Sequence, residues 1–516
     1  MDQHRRIAPT SISFSSVAPP FSCFDFVEEK YQGQQAIRRI FSLARSFDDV
    51  KTMVIEEIPT HGIINDENRE IAGLFSDFSC TGLHRISFWN KSISTEKDLD
   101  TCTDENLYGY AILKRDTVPS RKKDYWYVFE SVVRKYRHPH NCVPFPRYYC
   151  VGMNGKEYRI PGILYCQQNG LNKACAHVAL RSLLSRLLPA PDISYRSINN
   201  IAVTVADPGW APAEGLGTGQ IRKILEVLGI GYSDIDYMQK PEYRNSLPYQ
   251  KWLYAGVESG AGALVGFRLT GRAAEPESRH IIPFYGHTFN KDTWAPDADF
   301  AYFRIGEGLG YIPSESWTSS FLGHDDNFGP NFCIPRFYIE QDKVEYVVEL
   351  FRPGAKYSGV AAEALGLEFL YSILPQILAS GNVWLNRLIR WTKDERIVLR
   401  ALSLEKEQYI LHLQKLRDWS GNAENSEIID TFHEALPPFL WIIEISTPHL
   451  FPANERKLGE IVLDASIEIK KRYETFQFAR LPATYLICQE INESGKPVFS
   501  SQKSNILSHT QLCSFD

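Results

Sequence analysis

Between Ala174 and Leu187 the apolar residues Ala174, Val178, Leu180, Leu183, Leu184 and Leu187 recur at mostly helical spacing. This predicts an amphipathic helix, with the polar, Gly-containing stretch before it as a loop. The same spacing predicts helices at Gln34–Arg45, Tyr357–Leu378, Leu404–Leu416 and Lys457–Tyr473. The run from Gly215 reads as a capped helix ending at Gly229, and Tyr249–Val257 as a short one. Strands are expected at Tyr108–Leu113, Tyr125–Val133, Ala261–Leu269, Val344–Phe351 and Phe439–Ser446. The stretch SRHIIPFYGH opens an alternating strand with His280, Ile282 and Phe284 on one face. Ile281, Tyr285 and His287 share the other face, and Pro283 demands an edge or a bulge. SSFLGHDDNFGP gives a short strand ending in Asp325 and Asp326. The fold class is therefore α+β.

A length of 516 residues gives a prior of about three domains. The first 24 residues, rich in Ser and Pro, read as a flexible arm. Residues 25–155 read as a β-rich N-terminal domain, 156–340 as the stretch carrying the chemistry, and 341–516 as a C-terminal α+β domain. The apolar share of 44% and charged share of 23% exclude a mainly disordered, collagenous or coiled-coil chain. The net charge of −6 argues against a global electrostatic grip on nucleic acid. No export signal is visible, and no window of about 18 uninterrupted apolar residues occurs. The closest, Leu365–Leu378, carries Glu368 and Pro375. The expectation is a soluble, cytoplasmic protein without a membrane partner, its ten scattered cysteines mostly reduced. Its oligomeric state is left open.

Two clusters outside the central stretch invite a functional reading. Basic residues between Lys114 and Arg137 are interleaved with Tyr125, Trp126 and Tyr127, as on a single-strand binding surface. A solvated strand edge protected by lysines accounts for them better. His138, His140, Cys142 and Cys150 lie close in sequence, but their spacing is not that of a structural zinc site. Chance clustering in a Pro-rich loop explains them, and no metal is assigned.

The strongest candidate is Cys175, in the first turn of the predicted helix. Unpaired N–H groups and the positive end of the dipole there favour a thiolate and can hold an oxyanion. Gln167 and Gln168, just upstream, could add a side-chain donor. The bland alternative is a small buried core cysteine. His177 cannot serve as the base, because two residues along a helix point apart.

A helix-borne Cys175, a strand-borne His280 and a carboxylate at the end of the next strand, in that order, resemble the papain-like cysteine peptidase superfamily. The likeness is closest to the bacterial double-glycine leader peptidases and runs from Ile163 to Pro330. It implies a papain-like core over 156–340, with the Cys helix packed on an antiparallel sheet. It also implies an oxyanion-hole Gln at Gln168 or Gln167, and a His strand running into Gly286. The orienting acid falls on Asp326 or Asp325, with Asp326 preferred because Asp326-Asn-Phe-Gly is similar to the family's Asn-Ser-Trp-Gly. Asn290 and Asp292, which follow the His strand, are rival third members. The implied activity is hydrolysis of a peptide or isopeptide bond in a protein or peptide substrate, through a thioester and without cofactor. Acyl transfer, transglutamination and deamidation use the same triad, and a catalytically inactive recognition protein is the further alternative.

Overall fold

Five antiparallel strands, paired in sequence order, form the N-terminal sheet: Ser11–Ser16, Thr52–Glu57, Ser79–Trp89, Leu107–Val118 and Lys123–Val133. In this computed structural model the described residues are 3–134, 141–144, 147–171, 174–189, 192–205, 215–269, 278–289, 311–377, 383–393, 397–417, 421–451, 455–504, 506 and 509–510. Alternation along the strands supplies two apolar faces. Met53, Ile55, Phe88 and Val128 pack under the helices Cys23–Tyr31 and Gln35–Arg45, through Ile37, Ile40 and Phe41. Val54, Trp89, Tyr110 and Val132 pack on the opposite side with the hairpin Arg147–Met153/Lys156–Gly162.

The N-terminal residues expected to form a flexible arm are instead built into this domain. Ser11–Ser16 is the edge strand, its Ile12 and Phe14 turned toward the core. Arg5 is buried, with Nε 2.7 Å from Glu130 Oε1. The Ser-rich composition concealed an alternating strand. The basic–aromatic stretch is likewise not a solvated edge throughout. Lys114 is fully buried, 2.7 Å from Asp116 and 2.9 Å from the Tyr127 hydroxyl, while Arg115 pairs with Asp124 at 2.8 Å. His138 and His140 lie outside the described residues. Cys142 is buried opposite His287, and Cys150 lies on the hairpin.

The central sheet runs in the order Gly329–Pro335, Thr318–Asp325, Ser278–Phe289, Ala263–Leu269, Val344–Leu350 and Tyr232–Asp236, all antiparallel. Pro283 pairs with Leu264 on one side, and a register shift follows on the other between Phe284 and Gly286. The expected bulge thus lies beside the proline, at Tyr285. The helix Cys175–Leu187 packs Ala176, Leu180, Leu183 and Leu184 against Ile281 and Tyr285. Each such leucine contributes about 1.5–3 kcal/mol by burial. The helix Tyr249–Glu258 covers the opposite face, against Val265, Ile282 and Phe284.

The third sheet is antiparallel through Val398–Glu405, Phe439–Ser446, Gly459–Asp464, Phe476–Leu481, Thr484–Ile491 and Pro497–Lys503, with Ile312–Pro313 added in parallel. The helix expected at Lys457–Tyr473 is not formed. Gly459–Asp464 is a strand buried on both faces, followed by a 3₁₀ segment at Ile469–Thr475. Its apolar run, filled on both faces, mimicked a helical period. Gly359–Ile377 is one helical stretch long and apolar enough to cross a membrane, and 56% of its most apolar 18-residue window is buried within this fold.

Candidate functional site

Cys175 is the first residue of its helix and half-buried. The N-cap residue Ala174 offers no side-chain acceptor, and the Ala176 and Cys175 amides act on the thiol, as first-turn N–H groups can on a thiolate or an oxyanion. Burial, the largest influence, and the negative charge of Asp326 push the thiol up to about 11, against the opposing Ala176 and Cys175 amides. The expectation that the helix start favours a thiolate is therefore not met at rest. Desolvation exceeds the dipole.

His280 lies near the start of its strand and is 7% exposed. It pairs in register with Phe267 and shares that residue's face, the rings meeting edge-on at 5.6 Å. The Cys175 helix packs on the other face, against Ile281. Among the described residues, no hydrogen bond, ion pair or electrostatic coupling joins Cys175 to His280. The imidazole instead meets the turn that follows Thr318–Asp325. Its Nε2 is 3.3 Å from Asp325 Oδ2 and 3.5 Å from Asp326 Oδ1. Burial pulls His280 down, but the Asp325 hydrogen bond and the charges of Asp326 and Asp325 outweigh it and raise its pKa.

Simple strand alternation would let only one of the two aspartates face His280. Both reach it because the strand ends at Asp325 and Asp326 opens the turn. Asp325 Oδ1 accepts the Asn327 and Phe328 N–H groups at 2.9 and 3.2 Å, leaving Oδ2 for the imidazole. Burial raises Asp325, yet His280 and those amides hold it below the usual carboxylate range. Asp326 is 4% exposed and neither of its oxygens has a hydrogen-bond partner. Burial first, then Asp325, push it up to about 6, with His280 opposing. By hydrogen bonding, the acid that orients His280 is Asp325. Asp326 acts on both imidazole and thiol electrostatically.

The two glutamines separate. Gln167 is consumed by structure: its Oε1 accepts the Val128 N–H at 2.9 Å, and its own N–H donates to the Val128 carbonyl. Gln168 donates from Nε2 to Asn327 Oδ1 at 2.6 Å, which ties the loop before Cys175 to the Asp325–Asn327 turn. His177 is buried against Asn199 at 2.7 Å and takes no part. Asn290 and Asp292 lie outside the described residues.

Two neighbours were not singled out in the sequence. Tyr165 donates its hydroxyl to the Asp326 carbonyl at 3.5 Å, holding the turn from below. Tyr346 is electrostatically coupled to Cys175, and its ring covers Gly266 so closely that a Cβ there would lie 2.3 Å from it. A glycine opposite an aromatic in adjacent strands is the signal, and it becomes visible only once the pairing is known. No family model, curated protein or solved structure matches this chain.

Proposed function

We propose that the chain is a thiol-dependent hydrolase of peptide or isopeptide bonds, with a papain-like core formed by the Cys175 helix and the central sheet. The observation that carries this reading is the Asp325–Asn327 turn. It binds His280 through both carboxylates, acts on the Cys175 thiol through Asp326 and holds Gln168 through Asn327. His280 Nε2 faces the acids, and Nδ1 has no hydrogen-bond partner among the described residues, so Nδ1 is the nitrogen left for the thiol.

With the resting thiol protonated and out of contact with the imidazole, proton transfer belongs to the substrate-bound state, where catalytic hydrogen bonds commonly tighten. His280 removes the Cys175 proton as sulfur bonds to the substrate carbonyl carbon. The oxyanion is held by the Cys175 N–H and the Gln168 amide. His280 then gives its proton to the departing amine, leaving a thioester. Water, deprotonated by His280, releases the acid and regenerates the thiol.

The test is intact-mass analysis with peptide electrophiles, including probes shaped as ubiquitin-like C termini. A single adduct mapping to Cys175, lost in Cys175→Ala and His280→Ala, supports the reading. Adducts elsewhere, or labelling indifferent to His280→Ala, overturn it. Product formed only when an amine is added reassigns the reaction to acyl transfer.

A further inference from the structure

The geometry points to a binding site for one zinc-class divalent cation formed by His280 Nε2, Asp325 Oδ2 and Asp326 Oδ1. One ligand atom from each of the three residues lies within 4.8 Å of the other two. The imidazole nitrogen is 3.3 Å from one carboxylate oxygen and 3.5 Å from the other. Both separations exceed the about 2.7–2.9 Å of a charge-assisted hydrogen bond. They lie close to the edge of a tetrahedron whose N and O ligands stand about 2.0–2.1 Å from zinc, which is about 3.3–3.4 Å.

A second, independent observation points the same way. Asp326 is 96% removed from solvent by its 4% exposure, and both of its oxygens lack hydrogen-bond partners. A buried carboxylate without donors is costly, and charges kept in such places are paired or coordinate a metal. Two carboxylates around one imidazole leave net negative charge even when the imidazole is protonated, and a divalent ion neutralises it. Asp325 is already oriented by the two turn amides on its other oxygen, the kind of outer support that ligating carboxylates need. Its side chain is 14% exposed, which gives the ion a path in.

The other His/Cys/Glu grouping, Cys142, Glu258 and His287, is disfavoured by charge. Arg400 donates to Glu258 at 3.0 Å, so a cation already occupies that carboxylate. At the favoured site the ion takes the Nε2 lone pair, so the single proton of the neutral imidazole sits on Nδ1, an imidazolium releasing its second proton to solvent, and the remaining coordination position is left to water. On the thiol-hydrolase reading, an imidazole so held cannot take the Cys175 proton, and zinc switches the reaction off.

The experiment is equilibrium dialysis of the metal-free full chain against Zn²⁺, with the Co²⁺ visible spectrum as a second readout. Electrophile labelling of Cys175 is followed in parallel, with and without chelator. One equivalent should bind, weaken at least ~10-fold in Asp326→Asn, Asp325→Asn and His280→Gln, and persist in Cys175→Ser. Asp326→Asn leaves the turn amides their acceptor and keeps the test open should Asp325→Asn unfold. Binding unchanged by all three substitutions, or lost only in His287→Asn, overturns the site. Zinc binding that leaves labelling of Cys175 equally fast overturns the switch. Absence of labelling in metal-free protein strikes the hydrolase reading alone, because dialysis still reports the cation.

Discussion

Cys175 and Cys333 separate reactivity at rest from reactivity with substrate. Cys333 is exposed, whereas the Cys175 thiol is pushed up to about 11 by burial and Asp326. Iodoacetamide near neutral pH should therefore modify Cys333 before Cys175, since thiolate fraction and access set the rate. A substrate-like acyl electrophile should reverse that order. Peptide mapping of both reactions is the check, and Cys175 leading in the first would mean a standing thiolate. A second contrast lies in the acids. Asp325→Asn replaces the carboxylate that accepts from His280 by a neutral amide that no longer fixes the tautomer and should lower turnover by about 10²–10⁴-fold, while Asp326→Asn should cost about tenfold. The reverse ranking, measured as kcat/KM on one peptide substrate, would return the orienting role to Asp326. Cys175, His280 and the aspartate pair were legible as candidates in the sequence because each sits at or near an element boundary that local pattern marks, whereas Gln168 was legible only as one of two adjacent glutamines. Which aspartate binds the imidazole was not legible. That depends on the residue at which the strand gives way to its turn.

Elements were readable where one period dominated. The Cys175 helix and the His280 strand follow their patterns almost to the residue. Gly459–Asp464 misled because a strand buried on both faces has no alternation to show. The junction between Val344–Leu350 and the helix Gly359–Glu368 shows a device that no pattern predicts. Glu349, fully buried, accepts the Gly359 N–H at 2.9 Å, so a strand carboxyl caps the following helix. Burial pushes Glu349 from 4.5 up to about 8, against the Gly359 amide and Lys251. A raised folded pKa means that the folded chain holds this proton more tightly than the unfolded one. Its stabilisation is complete below about pH 4.5 and is lost as pH rises through about 8. Glu349→Gln keeps the acceptor and removes the titration. The variant should match the parent near pH 4 and exceed it by about 1–3 kcal/mol at pH 9. Denaturant melts across that range test it, and a pH-independent difference would remove Glu349 as the cause.

Buried ion pairs join the regions that composition had divided. Glu258 on the central helix Tyr249–Glu258 meets Arg400 of the third sheet at 3.0 Å, and Arg400 meets Glu444 at 3.2 Å. Lys457 continues the chain, 2.8 Å from Glu444. At the other end, Arg5 bridges Glu130 of the N-terminal sheet at 2.7 Å and Asp192 at 3.0 Å. Arg181, on the Cys175 helix itself, reaches the same Glu130 and Asp192 at 2.5 and 3.1 Å. The segment before Ser11 is thus a structural part of the catalytic candidate's support, although its composition reads as disorder. Removing one member of a buried cluster leaves charge uncompensated, at a cost of about 3–5 kcal/mol. Arg5→Ala, and deletion of residues 1–8, should each lower the unfolding free energy by about that amount. Arg181 would then carry more of the balance of Glu130 and Asp192, with His4 still on Glu130 in the point variant, so the helix that presents Cys175 should loosen. Hydrogen exchange is expected to quicken in Cys175–Leu187 and Lys123–Val133 together, while Gly459–Asp464 keeps its protection. Uniform quickening across all three sheets would instead mark a global loss of stability, with no specific tie between the N-terminus and the Cys175 helix.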